Sequence, residues 1–227
     1  IQIGSFDYLK PKPSSITTLV HNKYNPEGIS QFNIVPGLLG VILTMTMVMI
    51  TSIAMTREAE RGTMENLLAM PSKPLEVMIG KITPYVLMGL VQTIIILLAS
   101  NMLFHLPFVG SGSTFGLGVG LFILANLAIG FTFSTIAKSQ MQAMQLTFFF
   151  FLPSMLLSGF MFPFQGMPKW AQYLGEILPL THFLRIVRGI MLKGTSLSLL
   201  SNEFLALLAI LIIVGIIAML RYRQTLD

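Results

Sequence analysis

The chain is a series of long apolar runs without a formal charge, each bounded by polar or charged positions. A helix needs about 20 apolar residues to cross the hydrocarbon core of a membrane. The longest run exceeds that length, but a proline and two glycines divide it between residues 106 and 114. The pattern therefore predicts five membrane-spanning helices, at 34–55, 82–104, 115–137, 141–160 and 199–220.

Composition points to the same class of protein. Hydrophobic residues make up 54% of the chain and charged residues 10%, with a mean hydropathy of +0.78, whereas an ordinary soluble domain is about 25% charged. A single core of this size would not bury so much apolar surface. We therefore predict an all-α polytopic membrane protein rather than a soluble enzyme, a disordered chain or a coiled coil. The net charge of +5 suits anionic lipid headgroups better than nucleic acid.

The polar positions divide the chain into two parts. Residues 1–33 contain several prolines and are expected to be the end of an extracytoplasmic domain, and residues 34–227 form one transmembrane domain. The chain starts at Ile1 without a signal-peptide pattern, so we interpret it as a fragment. Lys and Arg divide equally between the two sides of the membrane, seven and seven. Their density near the span ends favours a cytoplasmic location for 57–81, 138–140 and 221–227.

Reactive groups that would indicate an enzyme are few and scattered. The chain has no cysteine, and His21, His105 and His182 lack the spacing of metal ligands. Glu203 is the one acidic residue within the predicted spans, which argues against a proton-driven carrier. The sequence therefore predicts no catalytic residue, no metal site and no cofactor bound by this chain.

The chain also lacks a phosphate-binding loop for ATP. Gly80-Lys81 has the end of such a motif, but Ile82 follows it and Leu75 stands where its first glycine belongs. Any energy for uphill transport must then come from another polypeptide.

The segment 57–81 concentrates charges of both signs. Within it Met64, Leu67 and Leu68 recur at the spacing of a helical apolar face, and Pro71 ends that helix. One interpretation is a solvated hairpin at the membrane surface. The other is a docking helix whose leucines anchor a soluble partner.

Several stretches make the sequence resemble permeases of the ABC-2 type transporter family, in its multidrug-like branch. The likeness extends from about residue 24 to the C-terminus and is most specific over residues 57–85. The stretches that carry it include Tyr24-Asn25-Pro26-Glu27, Val35-Pro36-Gly37, residues 57–71, Gly80-Lys81-Ile82-Thr83-Pro84-Tyr85, Ser158-Gly159-Phe160, Phe162-Pro163, Pro179-Leu180-Thr181 and Arg188-Gly189.

This resemblance implies six transmembrane helices per permease and a pair of permeases, identical or different, in the cell inner membrane. It also implies that residues 57–70 form a coupling helix on a separate ATP-binding subunit, which would hold ATP and Mg²⁺. The sequence departs from the family in lacking a first span and most of the extracytoplasmic domain after it. The coupling residues so implied are Arg57, Glu58, Glu60, Arg61, Gly62, Thr63, Glu65, Leu67 and Leu68.

Residues 160–193 are too polar for a span and too apolar for a free loop. Phe183, Ile186 and Ile190 share one helical face, while Arg185 and Arg188 share the other. The segment is interpreted as a helix anchored in the membrane interface or as a gate at the outer mouth. The resemblance implies short re-entrant helices here.

Methionine and phenylalanine adapt to irregular apolar ligands, so some of them are candidates for a transport path through the first and fourth spans. Lipid contact or helix packing explains the same residues, and interhelical hydrogen bonding explains the polar ones. Gly116-x-x-x-Gly120 in the third span permits close helix approach. The candidate path residues are Met45, Met49, Gln92, Asn126, Phe149 and Pro153.

The leading hypothesis is the permease subunit of an ATP-driven exporter of hydrophobic or drug-like compounds. A structural membrane module that recruits a cytoplasmic partner without moving solute is the alternative from another class. Export of a lipid or a glycan is the alternative within the same class.

Overall fold

The computed structural model describes residues 31–61 and 74–224, and its regular elements there are helices. A short 3₁₀ turn, Phe164–Gly166, lies between the fourth and fifth α-helices. The α-helices are α1 Gln31–Glu60, α2 Pro74–Phe104, α3 Gly112–Ile136, α4 Gln140–Leu157, α5 Lys169–Glu176, α6 Pro179–Lys193 and α7 Leu197–Gln224.

Four of these helices, α1, α2, α3 and α7, are long and apolar enough to cross a membrane. The all-α polytopic fold is confirmed. The helices extend beyond the predicted spans, because α1 continues to Glu60 and α2 already begins at Pro74. Both ends of the charged segment 57–81 are therefore continuations of membrane helices.

The fourth predicted span, 141–160, differs from the structure. Helix α4 has 18 residues, which is about 27 Å of helix. Three glutamines in its first half make it less apolar than the other four predicted spans, and it is not among the helices that qualify as spanning. The helix ends at Leu157 because the chain turns through Ser158 and Gly159, where φ is +84°, a conformation that favours glycine.

Contacts at its two ends nevertheless place α4 alongside α1 over much of the bundle. Gln140 at its start binds Glu60 at the end of α1. Gly159 beyond its end binds Arg188, which also reaches Asn33 at the start of α1. The two helices are thus antiparallel. We call the end with Glu60 and Gln140 the inner end, and the end with Asn33 and Gly159 the outer end.

Helix α3 lies at the centre and contacts α1, α7 and α6. Its closest approach is at Gly130, where an added Cβ would lie 2.7 Å from the Val48 carbonyl oxygen of α1. Gly116 and Gly120 have no heavy atom within 4 Å of such a Cβ. The predicted close approach at the Gly116-x-x-x-Gly120 motif is therefore wrong within this chain, since the contact lies three turns further along the helix.

Helices α5 and α6 form a re-entrant pair at the outer end. The Phe183 ring of α6 stacks on Phe122 of α3, with centroids 3.9 Å apart and planes at 3°. Phe122 lies ten residues into α3, or about 15 Å below its start. The other end of α6 returns to the surface, where Ile190 packs against Gly110. The predicted apolar face of α6 is thus buried inside the bundle, and an interfacial position fits only α5, whose Trp170 is exposed.

Candidate functional site

The inner end of α1 is tied to two other helices by carboxylates. Glu58 forms an ion pair with Lys81 of α2. The Glu60 carboxylate accepts hydrogen bonds from the backbone N–H of Gln140, at 2.9 Å, and from its side-chain Nε2, at 2.6 Å. The last turn of α1 is therefore connected directly to Lys81, about two turns into α2, and to the start of α4.

These contacts show where the coupling residues implied by the resemblance lie. Arg57, Glu58 and Glu60 belong to the last turn of α1, and Arg61 occupies the turn after it. Glu58 has a partner on α2, and Glu60 has one on α4. Gly62, Thr63, Glu65, Leu67 and Leu68 lie outside the described residues, so the docking helix stays a prediction.

A groove of about 540 Å³ lies between α1 and α2. Its polar groups are the Thr46 hydroxyl and the Gln92 amide, and Thr46 donates to the Gln92 Oε1 at 2.9 Å. The rest of its lining is apolar, which suits a hydrophobic ligand. The apolar lining residues are Met47, Ile50, Leu87, Met88, Val91 and Ile95.

Among the described residues, the six candidate path residues do not share the groove between α1 and α2. Gln92 lines the groove between α1 and α2, and none of the other five does. Met45 and Met49 are half-buried on α1, while Phe149 and Pro153 are exposed on α4. The Phe149 side chain, at 78% exposure, faces away from the bundle.

The hydrogen bond of Asn126 differs from the one expected from the sequence. Interhelical hydrogen bonding was expected for it, but its Nδ2 donates to the Phe122 carbonyl oxygen of its own helix at 2.8 Å. Its side chain is fully buried, and its Oδ1 has no hydrogen-bond partner among the residues that the structure describes. Gln92, by contrast, does make the expected interhelical bond.

A second polar cluster connects α5, α6 and α7 near the outer end. The His182 Nδ1 lies 2.7 Å from the Glu203 carboxylate, and its Nε2 lies 2.8 Å from the Glu176 carbonyl oxygen. Arg185 reaches Glu176 at 2.5 Å and Glu203 at 3.3 Å. We call these four residues the outer network.

The geometry of the outer network favours a charged histidine. Both partners of the His182 ring are hydrogen-bond acceptors, so only the doubly protonated ring can donate to both. Burial lowers the pKa of His182, but the bonds to Glu203 and to the Glu176 carbonyl, with the charges of both carboxylates, raise it more. The pKa of this imidazole therefore lies above its ordinary value.

No sequence pattern predicts the outer network. The sequence places Arg185 on a polar helix face and Glu203 alone among the apolar residues of a predicted span. The available signal was the spacing of His182 and Arg185, one turn apart, between acids on either side of the helix. Nothing in the sequence alone shows that α6 folds back and brings Glu176 and Glu203 to that turn.

Comparisons with known proteins agree with the architecture. The family model described as ABC-2 type transporter matches residues 14–192. The chain is 34% identical over 215 residues to the probable multidrug ABC transporter permease YbhR of Escherichia coli (strain K12), covering 95% of this chain and 58% of that protein. The probable multidrug ABC transporter permease YbhS of the same strain is 32% identical over 205 residues, 90% of this chain and 54% of the relative.

The inner membrane transport permease YhhJ of Escherichia coli (strain K12) is 36% identical over 197 residues, which are 84% of this chain and 52% of YhhJ. The chain thus spans between 52% and 58% of the length of these three relatives.

Proposed function

The chain belongs to the ABC-2 type transporter family, and from this premise we propose that it is part of the membrane-spanning permease of an ATP-driven exporter. A separate ATP-binding subunit holds ATP and Mg²⁺, and this chain provides the path through a bacterial inner membrane. The observation that carries the proposal is the family match over residues 14–192, in a chain with four helices of membrane-spanning length.

In this proposal, residues 57–70 dock on the ATP-binding subunit with Leu67 and Leu68 as anchors. The contacts of Glu58 and Glu60 support a route for the motion. A displacement of the inner end of α1 changes the positions of α2 near Lys81 and of the start of α4 together, because each is held by a carboxylate of the same turn.

The docking proposal is tested by replacing Leu67 and Leu68 with Asp in the full-length permease. We expect loss of co-purification with the ATP-binding subunit and loss of substrate-stimulated ATP hydrolysis, because two buried acids without partners disrupt an apolar anchor. Met161→Asp, an exposed position at the outer end, is the control and should leave both readouts intact. Unchanged co-purification and hydrolysis in the leucine variant would contradict the coupling role.

We further propose that α1 and α4 face a second permease copy and that the path lies at this seam. The half-buried Met45 and Met49 on α1 and the outward-facing Phe149 and Pro153 on α4 support this, since an apolar surface suits both a partner helix and an apolar solute. Hydrophobic or drug-like compounds are the proposed substrates. The similarity to YbhR and YbhS, both named probable multidrug ABC transporter permeases, supports that class.

Cysteine labelling separates an exporter from a module that only recruits a partner. Single cysteines at Met49 and Phe149, in a background free of other cysteines, are labelled with a water-soluble maleimide in the presence and absence of nucleotide. An exporter changes the labelling rate of at least one position when it alternates between states. Equal rates at both positions in all nucleotide states would favour the recruiting module. A cysteine at the neighbouring position Met47 would not be labelled, because this side chain is buried and the maleimide cannot reach it.

A further inference from the structure

A cleft of about 550 Å³ lies at the outer end, between the turn after α4, the C-terminal half of α6 and the start of α7. Four charged residues line it: Arg185, Arg188, Lys193 and Glu203. Three are cations and one is an anion. Glu203 and Arg185 are paired with each other in the outer network, where His182 also contacts Glu203. With this pair set aside, the other charged lining residues are both cations, so the lining has an excess of positive charge.

Arg188 is the residue at which this excess matters most. Its Nη1 donates to the Gly159 carbonyl oxygen at 3.1 Å and its Nη2 to that of Asn33 at 3.3 Å. Its Nε is buried and has no hydrogen-bond partner within residues 31–61 and 74–224. Burial alone lowers the pKa of Arg188, as expected for a cation that no carboxylate approaches in the part of the chain that the structure describes.

A half-buried guanidinium that binds only neutral carbonyls is energetically unfavourable unless an anion approaches it. Phosphate oxygens, like carboxylate oxygens, match the fork of a guanidinium. A second, smaller cavity of about 230 Å³ shares the Arg185 and Arg188 lining and adds the carbonyl-bound side of Arg188. An anion therefore has room on either side of this side chain.

The cleft also has an apolar side, which narrows the choice of ligand. Phe164, Leu199 and Leu200 line it, and Leu199 is 78% exposed beside Lys193 at the outer end of the bundle. A free inorganic anion would leave this apolar side unused, whereas an amphiphile would cover it. Cationic pockets between membrane helices at headgroup depth are suited to anionic lipids.

We propose that this cleft binds the phosphate of an anionic phospholipid headgroup, with Arg188 and Lys193 as the cationic contacts and Leu199 against the start of an acyl chain. The lipid would join the turn after α4 to α6 and α7 and so steady the outer end of the bundle. This site does not depend on ATP-driven export.

The test uses the full-length permease reconstituted in nanodiscs of mixed phosphatidylglycerol and phosphatidylcholine, then extracted in mild detergent. Lipid retained per protein is measured by mass spectrometry. We expect the wild-type protein to retain phosphatidylglycerol selectively. Arg188→Gln should lower that retention by about fivefold or more, because it removes one charge-assisted contact. Arg188→Lys keeps the charge, so its retention of phosphatidylglycerol should lie between those of wild type and Arg188→Gln.

Lys169→Gln is the matched control, because Lys169 is exposed on α5 and lines neither cavity. It removes the same charge and should leave retention at the wild-type level. Equal retention in wild type and Arg188→Gln overturns the proposal, and so does an equal loss in Lys169→Gln, which would show attraction by bulk surface charge. If Arg188→Gln does not fold, Lys193→Gln at the exposed rim of the cleft carries the same test.

Inorganic phosphate is the second probe and separates the two sources of a phosphate group. Thermal unfolding of the delipidated protein is followed with phosphate alone and with phosphatidylglycerol. Stabilisation by the lipid alone, lost in Arg188→Gln, supports the proposal. Equal stabilisation by inorganic phosphate, lost in the same variant, would assign the cleft to a soluble anion and overturn the lipid assignment.

Discussion

Helices α3 and α7 are both apolar enough to cross a membrane, but they are buried to opposite extents. The most apolar stretch of α3 has a mean hydropathy of 1.9 and 67% of its residues buried, whereas that of α7 has a mean hydropathy of 2.9 and 17% buried. The more apolar helix is the less buried one. This is the reverse of the order in a soluble protein, where the most apolar segments form the core.

The two helices differ in burial because they differ in the close contacts that they can make. Lipid tails are as apolar as leucine, so burial of aliphatic side chains between membrane helices gains little from the hydrophobic effect. Helix α3 instead offers small residues such as Gly130, which allow backbone contact with α1. Helix α7 presents one packed stripe to the bundle and leaves most of its other aliphatic residues exposed or half-buried. The stripe comprises Leu200, Phe204, Leu207 and Ala218.

The largest expected effect comes from deleting the same atoms on the two helices. Leu127 of α3 is fully buried and Leu205 of α7 is 62% exposed. Leu127→Ala should lower the free energy of unfolding by about 2 to 4 kcal/mol, because it leaves a cavity in a packed interior. Leu205→Ala should change it by less than about 0.5 kcal/mol.

Unfolding by a denaturing detergent, followed by circular dichroism in mixed micelles, measures both leucine variants. Equal losses of stability in the two would remove the distinction between the helices, because burial would then not govern the cost.

A smaller effect is expected from adding one methyl group to a glycine on each helix. A Cβ on Gly130 would lie 2.7 Å from the Val48 carbonyl oxygen and 3.0 Å from the Thr51 Cβ, whereas Gly215 of α7 has open space around it. Gly130→Ala should destabilise by about 1 to 3 kcal/mol through forced separation of α1 and α3. Gly215→Ala should be neutral or stabilise by up to about 1 kcal/mol, since alanine is the better helix former.

Thermal unfolding midpoints in one detergent compare the two alanine variants. An unfolding midpoint of Gly130→Ala equal to that of wild type would contradict the prediction, because α1 and α3 would then separate without loss of stability.

The difference between α3 and α7 also shows which parts of the fold can be predicted from the sequence. Charge-free runs locate helices in lipid reliably, because an unpaired charge in hydrocarbon is costly. The helix that contains the first predicted span, 34–55, continues to Glu60. Glu58 and Glu60 there find partners on α2 and α4 that no local pattern reveals. Which helix is central was not predictable from apolar content, since the most apolar helix lies at the periphery.

The candidate sites were less predictable than the spans. The Thr46–Gln92 bond and the outer network both join residues from different helices. Glu176 and Glu203 are separated along the chain by the whole of α6, and only the re-entrant fold brings them to the same histidine. Spacing within one helix carries no information on such pairs.

The smallest expected effect concerns the charged anchor of α7. Apart from its apolar stripe, α7 is held by Glu203, which faces His182 and Arg185 of α6, with Glu176 of α5 beside them. Because the folded pKa of His182 lies above the ordinary value of 6.5, its contribution to stability is fully present below about pH 6.5 and is lost as the pH rises through the raised pKa. The outer turns of α7 should then lose protection, while the buried turns of α3 keep theirs.

Hydrogen exchange at a series of pH values, corrected for the intrinsic exchange rate, measures this difference between the two helices. His182→Gln should make the protection of the outer turns of α7 independent of pH, because glutamine does not titrate. His105→Gln is the matched control, since His105 is exposed in the loop between α2 and α3, and it should keep the wild-type profile. A pH dependence that persists in His182→Gln would assign the titration to another group. The apolar stripe would then be the main attachment of α7 to the bundle.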